Sequence, residues 1–152
     1  MPTHFDGTDG ERLALDTLIK LMRATNTVTA RLLGPLQREK GITESQLGVL
    51  EALYYLGPLT QTQLCGKLLK SGSNLTTVLD NLERDGLVRR ERDTADRRVQ
   101  VVHLTDQGRG LIAEVVPVHA ARVERVFAAL APEEQRELGR LCKKLGLAAS
   151  EG

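Results

Sequence analysis

The chain has 152 residues, 41% of them hydrophobic and 27% charged, with a formal net charge of +1, which suits one globular domain with a sizeable core. An aromatic content of only 3% argues against the base-stacking platforms of single-strand or RNA-binding proteins. Two cysteines without zinc-ligand spacing, no signal peptide and no membrane-length apolar run predict a cytoplasmic protein without a disulfide framework, metal or cofactor.

The N-terminal part predicts an arm followed by a long helix. Residues 1–10 are small and polar, which favours a flexible arm. From Glu11 to Lys40 apolar residues recur at helical spacing, and Gly41 stands where a helix-ending glycine is favoured. Pro35 is expected to break or kink this helix near its end.

Three shorter helices are predicted next, and the last two have the spacing of a helix-turn-helix. Thr43 and Gln46 form a capping box for the first of them, and Thr60 begins the second in the same way. A tight turn at residues 71–73 precedes the third helix, which is expected to end at Gly86.

A hairpin and two further helices complete the predicted order. Residues 87–92 and 99–104 are predicted to be strands joined by a polar loop. Thr105 caps a long helix that Pro117 is expected to kink, and Pro132 begins the last helix. Because two short strands cannot form a sheet core, the fold class is mainly α with a small β-hairpin wing.

The third of the short helices has one apolar and one polar face. At about 100° per residue, the apolar face carries Leu75, Val78, Leu79 and Leu82. The opposite face carries Ser73, Thr77, Asp80 and Arg84, flanked by Asn74, Thr76 and Asn81. Short hydroxyl and amide side chains of this kind bind base edges and phosphates in a major groove, and Asp80 is expected to orient Arg84 or to accept from a cytosine amine. An ordinary amphipathic helix with a solvated face is the alternative.

Arginines are concentrated in the hairpin. Eight Lys and Arg face six Asp and Glu between residues 60 and 104, and six of these eight cations fall between Arg84 and Arg98. An arginine at a hairpin tip suits the narrow minor groove, and Asp96 is placed to hold Arg98 by a bidentate pair. A polar turn with no further role is the alternative. The predicted DNA-binding set is Thr60, Gln61, Ser71, Ser73, Asn74, Thr76, Thr77, Asn81, Arg84, Arg89, Arg90, Arg97 and Arg98.

From about residue 11 to residue 147, the sequence resembles the MarR family, named for the multiple antibiotic resistance regulator. The pattern D-R-R-x-x-x-x-x-L-T-x-x-G, from Asp96 to Gly108, resembles that family's wing signature, and S-G-S-N-L-T-T-V-L-D-N-L-E-R-D-G-L-V resembles its recognition helix. The resemblance implies a homodimeric winged-helix repressor, or occasionally an activator, that binds pseudo-palindromic DNA. It assigns Arg98 to the minor groove with Asp96 as its partner, and Ser73, Asn74, Thr76 and Thr77 to the major groove.

The resemblance also implies a release mechanism. Small phenolic, quinone or other anionic molecules, or cysteine oxidation, release such repressors from DNA. An effector pocket between the dimer helices and the DNA-binding lobe is implied, with Arg23, Tyr55 and His119 as its candidate lining. One branch of the family senses peroxide through a cysteine near the start of its first helix, but this chain has no cysteine before Cys65.

Dimerisation is also indicated by the apolar residues alone. The first helix and the last two carry longer apolar stripes than a winged helix of about 60 residues can cover, and leaving such side chains in water is unfavourable. Intrachain packing into a monomer is the alternative. We therefore expect an arm over 1–10, a helical dimerisation region over 11–42 and 106–147, and a winged helix-turn-helix DNA-binding lobe over 43–105.

Three other functions compete with ligand-released repression. A repressor that senses redox state through Cys65 or Cys142 is the first, although both are expected to be small core residues. A thiol enzyme is the second, but neither cysteine has a nearby histidine or a C-x-x-C partner, so no enzymatic activity is expected. A non-specific DNA architectural protein is the third, and its affinity would depend on salt rather than on base sequence.

Overall fold

Side-chain caps and glycines set most of the helix boundaries in the computed structural model, which describes residues 2–68 and 72–151. Helix α1 covers Asp9–Lys40, α2 Glu44–Leu56, α3 Gln61–Leu68, α4 Gly72–Arg84, α5 Asp106–Phe127 and α6 Pro132–Ser150. Strand β1 covers Leu59–Thr60, β2 Val88–Arg92 and β3 Gln100–Leu104. This order confirms the predicted mainly α fold with a small β wing.

The caps predicted at Thr43 and Thr60 are present. The Thr43 hydroxyl accepts from the Gln46 backbone N–H while the Gln46 side chain accepts from the Thr43 N–H, and Thr60 and Gln63 repeat this exchange. Gly41 and Gly86 end helices α1 and α4 with φ values of 67° and 76°, a left-handed conformation that costs glycine least.

The first helix differs from its prediction in two ways. It begins at Asp9, inside the arm predicted over 1–10, because the Thr8 side chain accepts from the Glu11 N–H and caps it there. It also continues through Pro35 to Lys40, so of the two effects predicted for Pro35, a break or a kink, the break does not occur. Likewise, Pro117 lies inside an uninterrupted α5.

A third strand was not predicted. Strand β1 pairs with β3, so the sheet has the antiparallel order β1-β3-β2, with Thr60 opposite Val101 and Arg90 opposite Val102. Two residues are too few to show a period-2 pattern in the sequence. This short strand fixes the start of α3 against the wing.

The buried core lies in one part of the chain. Every described residue that is buried lies between Leu32 and Val115. The core therefore fills the predicted lobe and is closed by the end of α1 and the start of α5. Helix α6 contributes nothing to it, since none of its residues is buried.

Neither a membrane span nor a metal cluster is found in the described part of the chain. None of its helices combines the length and apolarity needed to cross a bilayer. No group of three or more His, Cys, Asp or Glu side chains among the described residues is arranged to hold a metal ion.

Gly108→Ala is expected to destabilise the fold, whereas Gly110→Ala is not. A Cβ at Gly108 would overlap the Leu87 carbonyl oxygen, whereas a Cβ at Gly110 meets nothing within 4 Å. Thermal unfolding should show a loss of about 1–3 kcal/mol for Gly108→Ala. The same measurement should show a gain of roughly 0.5–1 kcal/mol for Gly110→Ala, which relieves a glycine inside a helix. Equal effects of the two substitutions would contradict the close packing of α5 on the wing.

Candidate nucleic-acid interface

Helix α4 has the predicted two-faced character. Leu75, Leu79 and Leu82 are 0–1% exposed, and Val78 packs half-buried against the same core. On the other side, Asn74, Thr76, Thr77 and Arg84 are exposed and Asn81 is half-buried. The predicted Ser71 lies outside the described residues, as does the side chain of Ser73.

At the tip of the wing, Asp96 and Arg98 form the predicted bidentate pair. Arg98 Nε donates to Asp96 Oδ1 and Arg98 Nη2 donates to Asp96 Oδ2, both at 3.0 Å. The Arg98 backbone N–H also donates to Asp96 Oδ1. The Arg98 side chain remains 90% exposed, and its hydrogen bonds lower the pKa of Asp96. A charged guanidinium is thus held in one orientation at the exposed tip of the wing.

A hydrogen bond between α3 and α4 and a cleft between α3 and the wing bring these three elements together. Gln61 Nε2 at the start of α3 donates to Thr76 Oγ1 on α4 at 2.8 Å. Gln61 also lines a cleft of about 460 Å³ whose other wall carries Arg92, Arg97 and Arg98 of the wing. The polar face of α4, the start of α3 and the arginines of the wing therefore form one continuous surface.

The predicted role of Arg90 needs correction. Its side chain is only 17% exposed and is bonded to two carboxylates of α4, those of Asp80 and Glu83. It therefore faces α4 rather than solvent, and the two carboxylates would compete with a phosphate for it. Of the two roles predicted for Asp80, the structure does not have the pairing with Arg84. Asp80 pairs with Arg90, and Arg84 pairs with Asp85, while acceptance from a cytosine amine stays a prediction.

The remaining strand arginines stay at the surface. Arg89 pairs with Glu91 on its own strand and keeps half of its side chain exposed. Next to it, partial burial and then the charge of Arg89 lower the pKa of His103. The lowered pKa favours the uncharged imidazole, which lies 3.6 Å from the Glu91 carboxylate.

The three residues predicted to line an effector pocket lie in different places within the protomer. Arg23 lines a small cleft with Asp16 and Lys20 of its own helix, and His119 lines another with Glu39 and Arg122. Tyr55 is 64% exposed and packs edge-on against Tyr54.

Sequence reasoning missed a different basic cleft, between α1 and α5. It measures about 510 Å³ and is lined by Thr27, Val28, Arg31, Leu32, Pro35, Arg122, Arg125 and Val126. Arg122 Nη2 donates to both carboxylate oxygens of Glu39, at 3.0 and 3.1 Å. The cleft joins helices about 90 residues apart in the chain, and no local motif marks such a pairing.

The two cysteines have different surroundings. Cys65 is half-buried, packs against the core and lines the cleft beside the wing arginines. Cys142 is exposed on α6, contrary to its predicted core position, because nothing covers that helix in the protomer.

The chain is similar to known transcriptional regulators. Residues 42–99 match the model of the MarR family, a range close to the predicted lobe. The chain is 41% identical, over 72% of its length, to an HTH-type transcriptional regulator of Bacillus subtilis, YkoM, and covers 71% of that protein.

Two solved structures resemble the whole protomer. One is Sco3205, a MarR family transcriptional regulator of Streptomyces coelicolor in complex with DNA, with a TM-score of 0.83 at 27% identity, covering 94% of this chain and 90% of that one. The other is BpsR of Bordetella bronchiseptica, whose DNA binding is regulated by 6-hydroxynicotinic acid. It has a TM-score of 0.79 at 27% identity, covering 96% of this chain and 98% of that one.

Proposed function

The chain belongs to the MarR family of DNA-binding transcriptional regulators, and from this premise we propose that it is a homodimeric repressor released from a pseudo-palindromic operator by a small anionic effector. The wing enters the minor groove through Arg98, and α4 reads the neighbouring major groove. We place its action in the cytoplasm, where an operator would be accessible to it.

The observation that carries this proposal is the continuous surface running from Thr76 through Gln61 to Arg98. A helix in the major groove and a wing in the adjacent minor groove must share one docking plane. The direct Gln61–Thr76 contact and the arginine-lined cleft beside it support such a plane. The complex of the similar Sco3205 with DNA supports the same mode of binding.

The exposed apolar side chains of α6 support the dimer. Leu138, Leu141 and Leu145 recur on one face of the helix and are 40%, 46% and 55% exposed. Met22 and Leu18 of α1 are exposed as well. Exposed apolar stripes on long helices mark an interface, and a two-fold pairing would set two α4 helices about one DNA turn, roughly 34 Å, apart.

The cleft between α1 and α5 is the effector site we propose. Its wall combines apolar Val28, Leu32 and Val126 with three guanidinium groups, and its volume is within the range of small-molecule sites. Among the described residues, Arg31 and Arg125 have no carboxylate partner, so both are available to a carboxylate or phenolate.

Release would follow from competition for Arg122. That side chain holds Glu39 at the end of α1, where Lys40 also bonds to Glu114 of α5 at 2.9 Å. An anion that draws Arg122 away from Glu39 would loosen α1 from α5 and change the placement of the lobes. Effector and operator would then favour different conformations of one dimer.

Selection from a pool of randomised duplexes of about 30 base pairs, nearly three helical turns, is expected to recover a pseudo-palindrome.

Arg98→Ala should weaken binding to all sequences and lower the salt slope by about one, because its contacts carry little base identity. Asn74→Ala should lose ~1–3 kcal/mol at particular bases if its contact is bidentate. Arg12→Ala, which removes a charge from the first turn of α1, is the control. Recovery of no preferred sequence would instead support the architectural alternative.

Leu141→Asp is expected to convert the dimer into a monomer, because it places a charge in the apolar stripe of α6. Sedimentation velocity measures the change in mass. Leu147→Asp is the matched control, since Leu147 is 57% exposed but lies on the opposite side of the same helix. A wild-type monomer, or a dimer indifferent to Leu141→Asp, would contradict the proposed interface.

Arg125→Gln is expected to raise the effector concentration needed for release from the selected duplex by about 10- to 100-fold, the value of one charge-assisted hydrogen bond. Salicylate, 4-hydroxybenzoate, methylhydroquinone and hydrogen peroxide are the probes. Arg23→Gln, in the separate cleft, is the control and also tests the site predicted from sequence. Release by peroxide that disappears in Cys65→Ser or Cys142→Ser would favour the redox alternative.

A further inference from the structure

Arg90 is the most heavily engaged ionic side chain among the described residues outside the wing tip. Its Nη2 donates to Asp80 Oδ1 at 2.6 Å and to Glu83 Oε1 at 2.9 Å. Its Nε also faces Glu83 Oε1, at 3.3 Å. Its backbone N–H donates to the other carboxylate oxygen, Glu83 Oε2, at 2.9 Å. Glu83 therefore holds both the main chain and the side chain of the same strand residue.

This cluster differs from an ordinary surface ion pair. The Arg90 side chain is only 17% exposed, and the hydrogen bonds from its side chain and backbone lower the pKa of Glu83. Both oxygens of one carboxylate are occupied by donors of one residue, a geometry that fixes direction as well as distance. An exposed pair with one mobile contact would contribute little.

The cluster connects the two elements that the proposed function assigns to different grooves. Asp80 and Glu83 lie on α4, while Arg90 lies on β2, opposite the fully buried Val102 of β3. The chain between α4 and β2 is only residues 85–87, and it turns at Gly86 with φ of 76°. Backbone hydrogen bonds close this turn, from Leu87 N–H to the Leu82 carbonyl among others, and the Arg90 cluster adds side-chain contacts across it.

We propose that Arg90 is a positioning residue that locks α4 and the wing at one relative angle, so that major-groove and minor-groove contacts form together. This inference rests on the proposed function. When two contacts are rigidly linked, formation of the first gives the second a high effective concentration, and loosening the link weakens both. Arg90 thus raises DNA affinity without touching DNA.

Glu83→Gln is the main test, because two roles of Glu83 predict opposite results. One role is purely electrostatic, and the other is that of a brace, a residue that holds Arg90 and so fixes the angle between α4 and the wing. Removing a negative charge beside the DNA-binding face should strengthen binding if only Coulomb attraction matters. If Glu83 is a brace, binding to the duplex selected above weakens by roughly tenfold, because glutamine has one acceptor oxygen where glutamate has two. Asp85→Asn removes the same charge two residues later without touching Arg90, and it should leave binding unchanged or tighter.

A second measurement separates positioning from a phosphate contact by Arg90. In the wild-type background Arg98→Ala should cost about tenfold or more in affinity, whereas in an Arg90→Gln background it should cost less than about threefold, because the wing is already misplaced. Equal losses in the two backgrounds would mean that Arg90 and Arg98 act independently, which overturns the proposal.

The remaining controls exclude a general loss of folding. The fold of each variant is checked by circular dichroism and thermal unfolding. Affinity is measured at a temperature well below the midpoint of thermal unfolding, with the concentration of active protein determined by titration. Arg90→Lys, which keeps one ion pair, should bind between wild type and Arg90→Gln. Glu83→Gln that binds as tightly as Asp85→Asn would overturn the brace. Failure of the selection to yield any preferred duplex would overturn the proposed function itself, so the two failures are distinguishable.

Discussion

The buried apolar side chains of the described chain all lie within residues 32–115, and the other features of the protomer follow from this limit. Within it, α2, α3, α4 and the three strands close around a continuous core. Beyond it, most of α1, the end of α5 and all of α6 keep their apolar side chains in contact with solvent. The core therefore needs the end of α1 and the start of α5, whereas the rest of the long helices leave apolar surface uncovered.

The surface of the lobe is distinguished by where its positive charges lie and not by their number. The formal net charge is +1, yet arginines of the wing, the start of α3 and the polar face of α4 meet without interruption. Carboxylates near this surface are occupied by arginines, Asp96 by Arg98 and Glu83 by Arg90. Local pairing thus orients the cations of the wing and limits the repulsion that exposed carboxylates would exert on phosphate.

Two ion pairs join helix α1 to helix α5. Arg122 with Glu39 and Lys40 with Glu114 bridge the two helices where the core ends. These pairs are partly exposed, so each contributes modestly to stability and can be exchanged for another anion at small cost. The cleft that we propose as the effector site is lined by Arg122, so it lies next to the Arg122–Glu39 pair.

Local signals in the sequence determined the helix boundaries and the face of α4. Capping residues at Thr43, Thr60 and Thr105 and glycines at 41 and 86 act within a few residues, and a period of 3.6 needs no distant partner. The bidentate Asp96–Arg98 pair was predictable for the same reason, since only one residue separates its partners. Tertiary structure alone decided strand β1, the inward turn of Arg90, the separation of Arg23 from His119, and the cleft between α1 and α5. Each of these depends on which surfaces meet after the chain has folded back on itself. The spacing of residues along the sequence does not indicate which distant segments come into contact.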